Sequence, residues 1–224
     1  MEKLSDGLWR WTARHPEWHP GQFGAEVACF AAQAGATTLL IDPLLPAKDA
    51  DARPVLDAID GALRGRLAIL ITIPYHVRSS EELWRHYRKD AETTIHGHPA
   101  CAKRLDDDSA FHPIDPGKEL PGGVTAHPIG KPRRYETPLH LPSHKALVFG
   151  DAVAEWEGRL VVWAADRVDA KVERFDRERF NPTLQPLLDL DFDAVLPTHG
   201  EPVLEGGKQK LRQALRSKPW YHHG

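Results

Sequence analysis

The chain has 224 residues with 29 basic and 32 acidic side chains, and its formal net charge at pH 7 is −3. A chain of this length can bury a sizeable core as a domain of moderate size. Because the two charge signs are mixed along the sequence, no face is predicted to attract nucleic acid or anionic lipid. No apolar run approaches the roughly 20 residues that a membrane-spanning helix needs, so no membrane partner is expected.

The cysteines, Cys29 and Cys101, are too few for a disulfide framework. The first seven residues also lack the hydrophobic segment of a signal peptide. We therefore expect two reduced thiols in a cytoplasmic protein. The sequence indicates no oligomeric state.

The predicted elements mix strands and helices along the whole chain. Alternating or continuous apolar runs of strand length predict strands at 7–12, 26–32, 37–42, 66–71, 93–98, 124–128, 136–142, 145–150, 160–163 and 194–197. Apolar residues at helical spacing predict helices at 54–63, 81–89, 99–105, 181–190 and 208–217. The densely charged stretch 167–179 is expected to be a solvated connection.

The stretch Thr72–Ser80 follows the buried-looking strand 66–71 and leads directly into a predicted helix. In α/β folds, chemistry is commonly placed where a strand end opens into a helix N-terminus, because side chains there line a crevice and backbone N–H groups are free. Asp42 ends another predicted strand. It is expected either to bond backbone N–H groups or to orient a neighbouring site residue.

Four segments each combine the end of a predicted strand with polar residues. In chain order they are Leu39-Leu-Ile-Asp42, Thr72-Ile-Pro-Tyr-His-Val-Arg78, Leu147-Val-Phe-Gly-Asp-Ala152 and Val195-Leu-Pro-Thr-His-Gly200. Together they resemble strand ends of the metallo-β-lactamase superfamily, the fold of glyoxalase II and many other hydrolases. The resemblance implies an α/β fold, a four-layer αββα sandwich of mixed sheets with helices on the outer faces. It also implies one such domain over residues 1–224.

The resemblance fails at the residues that would bind metal. Where the family has Thr followed by His-x-His-x-Asp-His, the positions of its four ligands here hold Ile73, Tyr75, Val77 and Arg78. The family's middle His falls at Lys131, and only Asp151 and His199 remain as candidate metal ligands. A catalytic zinc needs about three protein ligands. We therefore expect a degenerate metal site and no cofactor.

Basic residues stand where the ligands are missing. If Arg78 and Lys131 lie near Asp151, they could replace the charge of the metal by ion pairing. The basic stretch 130–134 is also an anion-binding candidate, because Arg and Lys side chains hold carboxylate or phosphate. An exposed basic loop fits this stretch equally well. The expected ligand-binding residues are Tyr75, Arg78, Lys131, Arg133 and Arg134.

Three functions follow from these residues. In the first, the protein binds a small anionic ligand or a protein partner and does not carry out binuclear-zinc hydrolysis. In the alternative, it hydrolyses an ester or thioester with one zinc or other divalent metal held by Asp151 and His199, assisted by His76 or His127. In the third, acid–base chemistry runs without metal, on His199 with Asp151 or on Tyr75 with His76. The candidate catalytic residues are Asp151, His199 and His76.

Overall fold

Two β-sheets face each other in the structure, a computed structural model that describes residues 1–20, 23–164 and 167–222. Within these ranges, the first sheet contains, in spatial and chain order, β1 (Glu2–Ser5), β2 (Leu8–Arg14), β3 (Glu26–Ala34), β4 (Thr37–Ile41), β5 (Arg66–Ile71), β6 (Thr93–Gly97) and β7 (Phe111–Pro113). Strands β1 to β4 pair antiparallel, and β4 to β7 pair parallel.

The second sheet draws its strands from the later half of the chain: β8 (Glu119–Leu120), β9 (Val124–Ala126), β10 (Leu139–Leu141), β11 (Ala146–Phe149) and β14 (Ala194–Pro197). Their spatial order is β14, β11, β10, β9, β8, with β14 parallel to β11 and the other pairs antiparallel. A separate hairpin consists of β12 (Val153–Trp156) and β13 (Arg159–Val162).

The described α-helices are α1 (Asp49–Ala62), α2 (Ser80–Tyr87), α3 (Ala170–Phe175), α4 (Asn181–Leu184) and α5 (Gly207–Ala214). Short 3-10 segments occur at Pro74–His76, Pro99–Arg104, Pro121–Gly123, Pro142–His144 and Gln185–Asp189, and a π-helical turn at Asp176–Phe180 joins α3 to α4. Proline suits the first position of such a turn, because its missing N–H group would have no partner there. Among the residues described, no helix is long and apolar enough to cross a membrane.

Strand β5 shows why the chain forms layers. Its residues Ala68 and Leu70 belong to the core between the two sheets, whereas Leu67, Ile69 and Ile71 pack in the core under the helices. A strand buried on both faces is apolar at every position, which explains the continuous run in the sequence. The helix-side core of the first sheet also contains Ile59, Leu83 and Trp84 from α1 and α2.

The second sheet repeats this arrangement on its own outer face. There Phe149 and Val195 pack with Leu184 of α4 and Leu211 of α5, while Val148 and Leu196 face the core between the sheets. The layers are therefore helix, sheet, sheet, helix. This confirms the predicted four-layer αββα sandwich with mixed sheets.

One predicted connection is wrong. The charged stretch 167–179, expected as a solvated connection, is largely helical, since α3 and the π-helical turn run through it. Asp169 caps the helix by accepting hydrogen bonds from the N–H groups of Lys171 and Val172, both at 2.8 Å. Charges spaced for pairing, such as Arg174 and Glu178 at 3.1 Å, stabilise an exposed helix with few apolar positions.

Four strand ends meet at one edge of the sandwich. Parallel pairing of β4 with β5 and of β11 with β14 aligns the carboxyl ends within each pair. The residues that follow these ends are, in chain order, Asp42, Thr72, Asp151 and His199. The polar residues of the four resembling segments are thus brought to the same edge.

Candidate functional site

A cleft of about 890 Å³ opens at this edge of the sandwich. It is lined by the strand ends, by the loop after β2 and by residues near the C-terminus. The predicted site residues that line it are Tyr75, His76, Arg78, Arg133, Asp151 and His199. Lys131 and Arg134 do not line it, and both are exposed at the protein surface.

Asp42 is a buried carboxylate that bonds to Thr72 and to His76, a residue that lines the cleft. It is only 1% exposed, and its carboxylate accepts hydrogen bonds from the N–H group of Thr72 at 2.8 Å and from Thr72 Oγ1 at 2.5 Å. Its Oδ2 also lies 2.9 Å from Nδ1 of His76. Both alternatives weighed for Asp42 therefore apply, because it bonds a backbone N–H group and orients an imidazole.

His76, Asp151 and His199 converge above Asp42. Nε2 of His76 and Nε2 of His199 lie 3.4 and 3.6 Å from the same oxygen, Oδ1 of Asp151. Burial and the charge of Arg78 act to lower the pKa of His76, but Asp42 and Asp151 outweigh them and raise it. The ring of His76 therefore lies between two carboxylates, with Nδ1 at Asp42 and Nε2 facing Asp151.

The other two members of this group have lowered pKa values. Burial acts to raise the pKa of Asp151, but His76, His199 and Arg133 hold it well below its usual value, so the side chain is ionised. Burial lowers the pKa of His199, against the opposing effect of Asp151. Nδ1 of His199 has no hydrogen-bond partner among the described residues.

Glu136, which the sequence did not suggest, holds Asp151 in place. The fully buried carboxylate accepts hydrogen bonds from the N–H groups of Gly150 at 2.9 Å and Asp151 at 3.0 Å. Burial, with the neighbouring Asp151, raises the pKa of Glu136 to about 7, while Arg133 opposes the shift. An added Cβ at Gly150 would lie 2.7 Å from Thr72 Oγ1, so only glycine permits this close approach of two strand ends.

The cation beside Asp151 is Arg133, not the expected pair of Lys131 and Arg78. Nη1 of Arg133 lies 3.4 Å from Oδ2 of Asp151, and its Nη2 donates to the carbonyl of Trp163 at 3.3 Å. Arg78 instead donates from Nη1 to the carbonyl of Asp42 at 2.9 Å. The predicted cluster of Lys131 and Arg78 around Asp151 is therefore wrong.

A short turn explains which basic side chain enters the cleft. The N–H group of Glu136 donates to the carbonyl of Arg133 at 2.8 Å, and the buried side chain of Glu136 anchors the end of this turn. Arg133 is thereby turned inward. Arg134 points outward and stacks on Tyr135, with Cζ 4.6 Å from the ring centroid.

Tyr75 and Arg104 form part of the rim. Tyr75 is 65% exposed, and Cζ of Arg104 lies 4.4 Å from its ring centroid. Arg104 also lines the cleft, although no sequence pattern singled it out. Three guanidinium groups thus border the cleft, those of Arg78, Arg104 and Arg133.

One side of the cleft is aromatic. We call Phe23, Trp163 and His199 the aromatic wall: the rings of Trp163 and His199 meet edge to face at 5.0 Å, and Phe23 lies 5.3 Å from His199. Behind the wall, Trp220 contacts Phe23 at 4.9 Å. Trp220 is held to the chain next to the wall by two backbone hydrogen bonds, to Val162 at 2.9 Å and from the N–H group of Ala164 at 2.8 Å. The residues that follow it, Tyr221 and His222, line the cleft.

The residues present do not fit a two-metal centre. At the expected ligand positions, Ile73 and Val77 are buried apolar side chains. In the part of the chain that the structure describes, no group of three or more His, Cys, Asp or Glu side chains is arranged to hold a metal ion. Both ring nitrogens of His76 already face carboxylate oxygens, at 2.9 and 3.4 Å, and Arg133 already pairs with Asp151 at 3.4 Å.

His127, the other expected helper of a single-metal site, lies elsewhere. Its Nε2 is 2.9 Å from Thr125 Oγ1, its ring faces His140 at 6.4 Å, and it does not line the cleft. The expectation that the protein uses no cofactor stays a prediction.

No family model and no curated protein sequence matches the chain. Solved structures do match. A metallo-β-lactamase from Pontibacter korlensis is 15% identical with a TM-score of 0.65, over 97% of this chain and 98% of that one. A metallo-β-lactamase from Hirschia baltica is 14% identical with a TM-score of 0.61, over 96% and 95%. The chain has the metallo-β-lactamase fold.

A metallo-β-lactamase family protein from Thermus thermophilus extends the comparison, at 16% identity and a TM-score of 0.58 over 96% of this chain and 80% of that one. Identities this low establish the fold alone. They confirm the fold-level resemblance found in the sequence. Within this fold, the side chains that contact Asp151 are those of His76, Arg133 and His199.

Proposed function

We propose that this protein has a degenerate metal site and that its cleft binds a small anionic ligand, in place of binuclear-zinc hydrolysis. Three guanidinium groups line the cleft, against the carboxylates of Glu17 and Asp151, and Asp151 is already paired with His76, Arg133 and His199. This excess of guanidinium groups over carboxylates is the observation that carries the proposal.

The guanidinium groups retain bonding capacity. Nε of Arg133, and Nε and Nη2 of Arg78, have no hydrogen-bond partner among the residues described. Buried donors without partners carry a free-energy cost that an anion can relieve. The carboxylate of Asp151 is satisfied by His76, His199 and Arg133 and does not cancel all three positive groups.

The proposal predicts that anions stabilise the protein through Arg133. At an anion concentration ten times the Kd, wild-type protein should gain about 1.4 kcal/mol, seen as a rise in Tm of about 3 °C. Phosphate, sulfate and acetate would be compared in thermal denaturation, with ionic strength matched by sodium chloride. In Arg133→Met, the rise should disappear because the cation at the cleft floor is lost.

Arg134→Met is the matched control, because Arg134 belongs to the same turn but lies outside the cleft. It should keep the full anion-dependent rise. Circular dichroism at the starting temperature would show that both variants are folded. Equal responses of wild type and Arg133→Met to every anion would refute an anion site at Arg133.

The alternative is a hydrolase with one divalent metal on Asp151, His199 and His76. Its supporting observation is that both imidazole Nε2 atoms approach one oxygen of Asp151, at 3.4 and 3.6 Å. Metal content after supplementation with zinc, iron and manganese, measured by mass spectrometry, separates the two functions. We expect less than about a tenth of an equivalent. About one equivalent, lost in Asp151→Ala, would establish the alternative and direct work to ester and thioester substrates.

We also propose that the protein acts in the cytoplasm on a small molecule. Cys29 and Cys101 are free and buried, which suits a reducing compartment. The net charge of −3 gives no support for a nucleic-acid partner.

A further inference from the structure

The aromatic wall and the cations of the cleft adjoin each other. Cζ of Arg133 lies 5.2 Å from the ring centroid of Trp163, a wall residue, and Nη2 of Arg133 bonds the carbonyl of the same residue. A ligand whose anionic group meets Arg133 therefore has its adjoining atoms beside the wall. We propose that the ligand is an aromatic carboxylate, an inference that rests on the anion-binding function proposed above.

The wall favours an aromatic group over a merely apolar one. Its rings meet one another edge to face or tilted, with centroids 5.0 to 5.5 Å apart. A further aromatic ring can join such a cluster through the same edge-to-face geometry, which adds to the gain from area burial alone. Trp18, which also lines the cleft, supplies a further ring and a buried indole N–H group without a partner among the described residues.

The geometry of Arg133 favours a planar carboxylate over a tetrahedral phosphate. Its Nη1 lies 3.4 Å from Oδ2 of Asp151 and its Nη2 donates to the carbonyl of Trp163, so the guanidinium plane is held in place beside the wall. A planar carboxylate also matches the planar guanidinium fork.

The dimensions of the cleft agree with this ligand class. Its volume of about 890 Å³ lies within the range of small-molecule sites. Because Arg133 is in contact with Trp163, the carboxylate should be attached to the ring directly or through a very short linker. Long-chain fatty acids, whose apolar part has no ring, make poorer use of the wall.

The test uses four small probes with the full-length protein: benzoate, cyclohexanecarboxylate of equal charge and similar size, acetate, and the uncharged benzyl alcohol. Dissociation constants would come from ligand-detected NMR titrations at matched ionic strength. We expect benzoate to bind about threefold to tenfold more tightly than cyclohexanecarboxylate, the range expected for an aromatic pair. Acetate and benzyl alcohol should each bind more weakly than benzoate.

Two variants locate the effect. In Trp163→Leu, the preference for benzoate over cyclohexanecarboxylate should fall by at least half, because the wall ring that contacts Arg133 is lost while Phe23 and His199 remain. Tyr135→Leu removes an exposed aromatic side chain outside the cleft and should keep the wild-type preference. Circular dichroism would establish that each variant is folded.

The outcomes separate this inference from the proposed function. If the carboxylates bind but benzoate has no advantage over cyclohexanecarboxylate, the aromatic inference is overturned and the anion site stands. If inorganic phosphate binds more tightly than benzoate, the carboxylate class is overturned and the anion site again stands. If no anion binds, the proposed function itself fails. The wild-type probe series decides these points even if Trp163→Leu does not fold.

Discussion

Asp42→Ala is expected to lower the free energy of unfolding by about 4 kcal/mol. The carboxylate is buried and serves three donors, the N–H group and hydroxyl of Thr72 and Nδ1 of His76. Alanine would leave these donors buried without an acceptor and would remove one of the two carboxylates that face the His76 ring. Equilibrium denaturation in urea would measure the loss.

Asp51→Ala provides a control with the same chemical change. Asp51 is exposed in the first turn of α1, and its replacement should change stability by no more than about 0.5 kcal/mol. The loss of unfolding free energy in Asp42→Asn should lie between the losses in Asp42→Ala and Asp51→Ala, because an amide still offers one acceptor oxygen to Thr72. A loss below about 1 kcal/mol in Asp42→Ala would show that the network beneath the cleft does not support the fold.

Gly200→Ala should be destabilising by about 4 kcal/mol, for steric reasons. Gly200 follows His199 and has a φ of +91°, and an added Cβ would lie 2.2 Å from the backbone carbonyl oxygen of Glu155. That oxygen belongs to strand β12 and cannot move away as a flexible side chain would. The clash would also displace the backbone of His199, whose carbonyl accepts a hydrogen bond from the N–H group of Glu155 at 2.9 Å.

Gly158→Ala separates the cost of the steric clash from the cost of a positive φ. Gly158 has a similar φ of +80°, but an added Cβ there would meet nothing within 4 Å. Only the conformational penalty remains, about 1 kcal/mol. Urea denaturation of both variants would give the difference, and equal losses would mean that the contact with Glu155 is relieved by backbone movement.

The sheets could be predicted because their signals are local. The apolar run Arg66–Ile71 coincides with β5, and the predicted strands on either side of Gly35 pair antiparallel as β3 and β4. The hairpin of β12 and β13 was only half predicted, since Val153–Trp156 is short and mixes apolar with charged residues. The helical nature of Ala170–Phe175 was missed because charged residues dominate the stretch 167–179 around it.

The site could be predicted only in part, because its contacts are not local. The sequence predicted Asp151 and His199 at strand ends, and in the structure Nε2 of His199 lies 3.6 Å from Oδ1 of Asp151. Alignment with the family's metal-binding residues suggested Lys131 as the cation beside Asp151. The side chain that contacts Asp151 belongs to Arg133, two residues later. Direction within a turn depends on tertiary anchors such as Glu136, which no local pattern reveals.

The position of Trp220 bears on how the protein should be prepared for study. Because its backbone pairs beside Trp163, the two residues after it, Tyr221 and His222, line the cleft. An affinity tag of consecutive histidines would add imidazoles to a protein whose cleft is already lined by those of His76, His199 and His222. Such a tag binds metal by itself and would imitate a catalytic centre, so preparations with the tag removed are required for metal analysis.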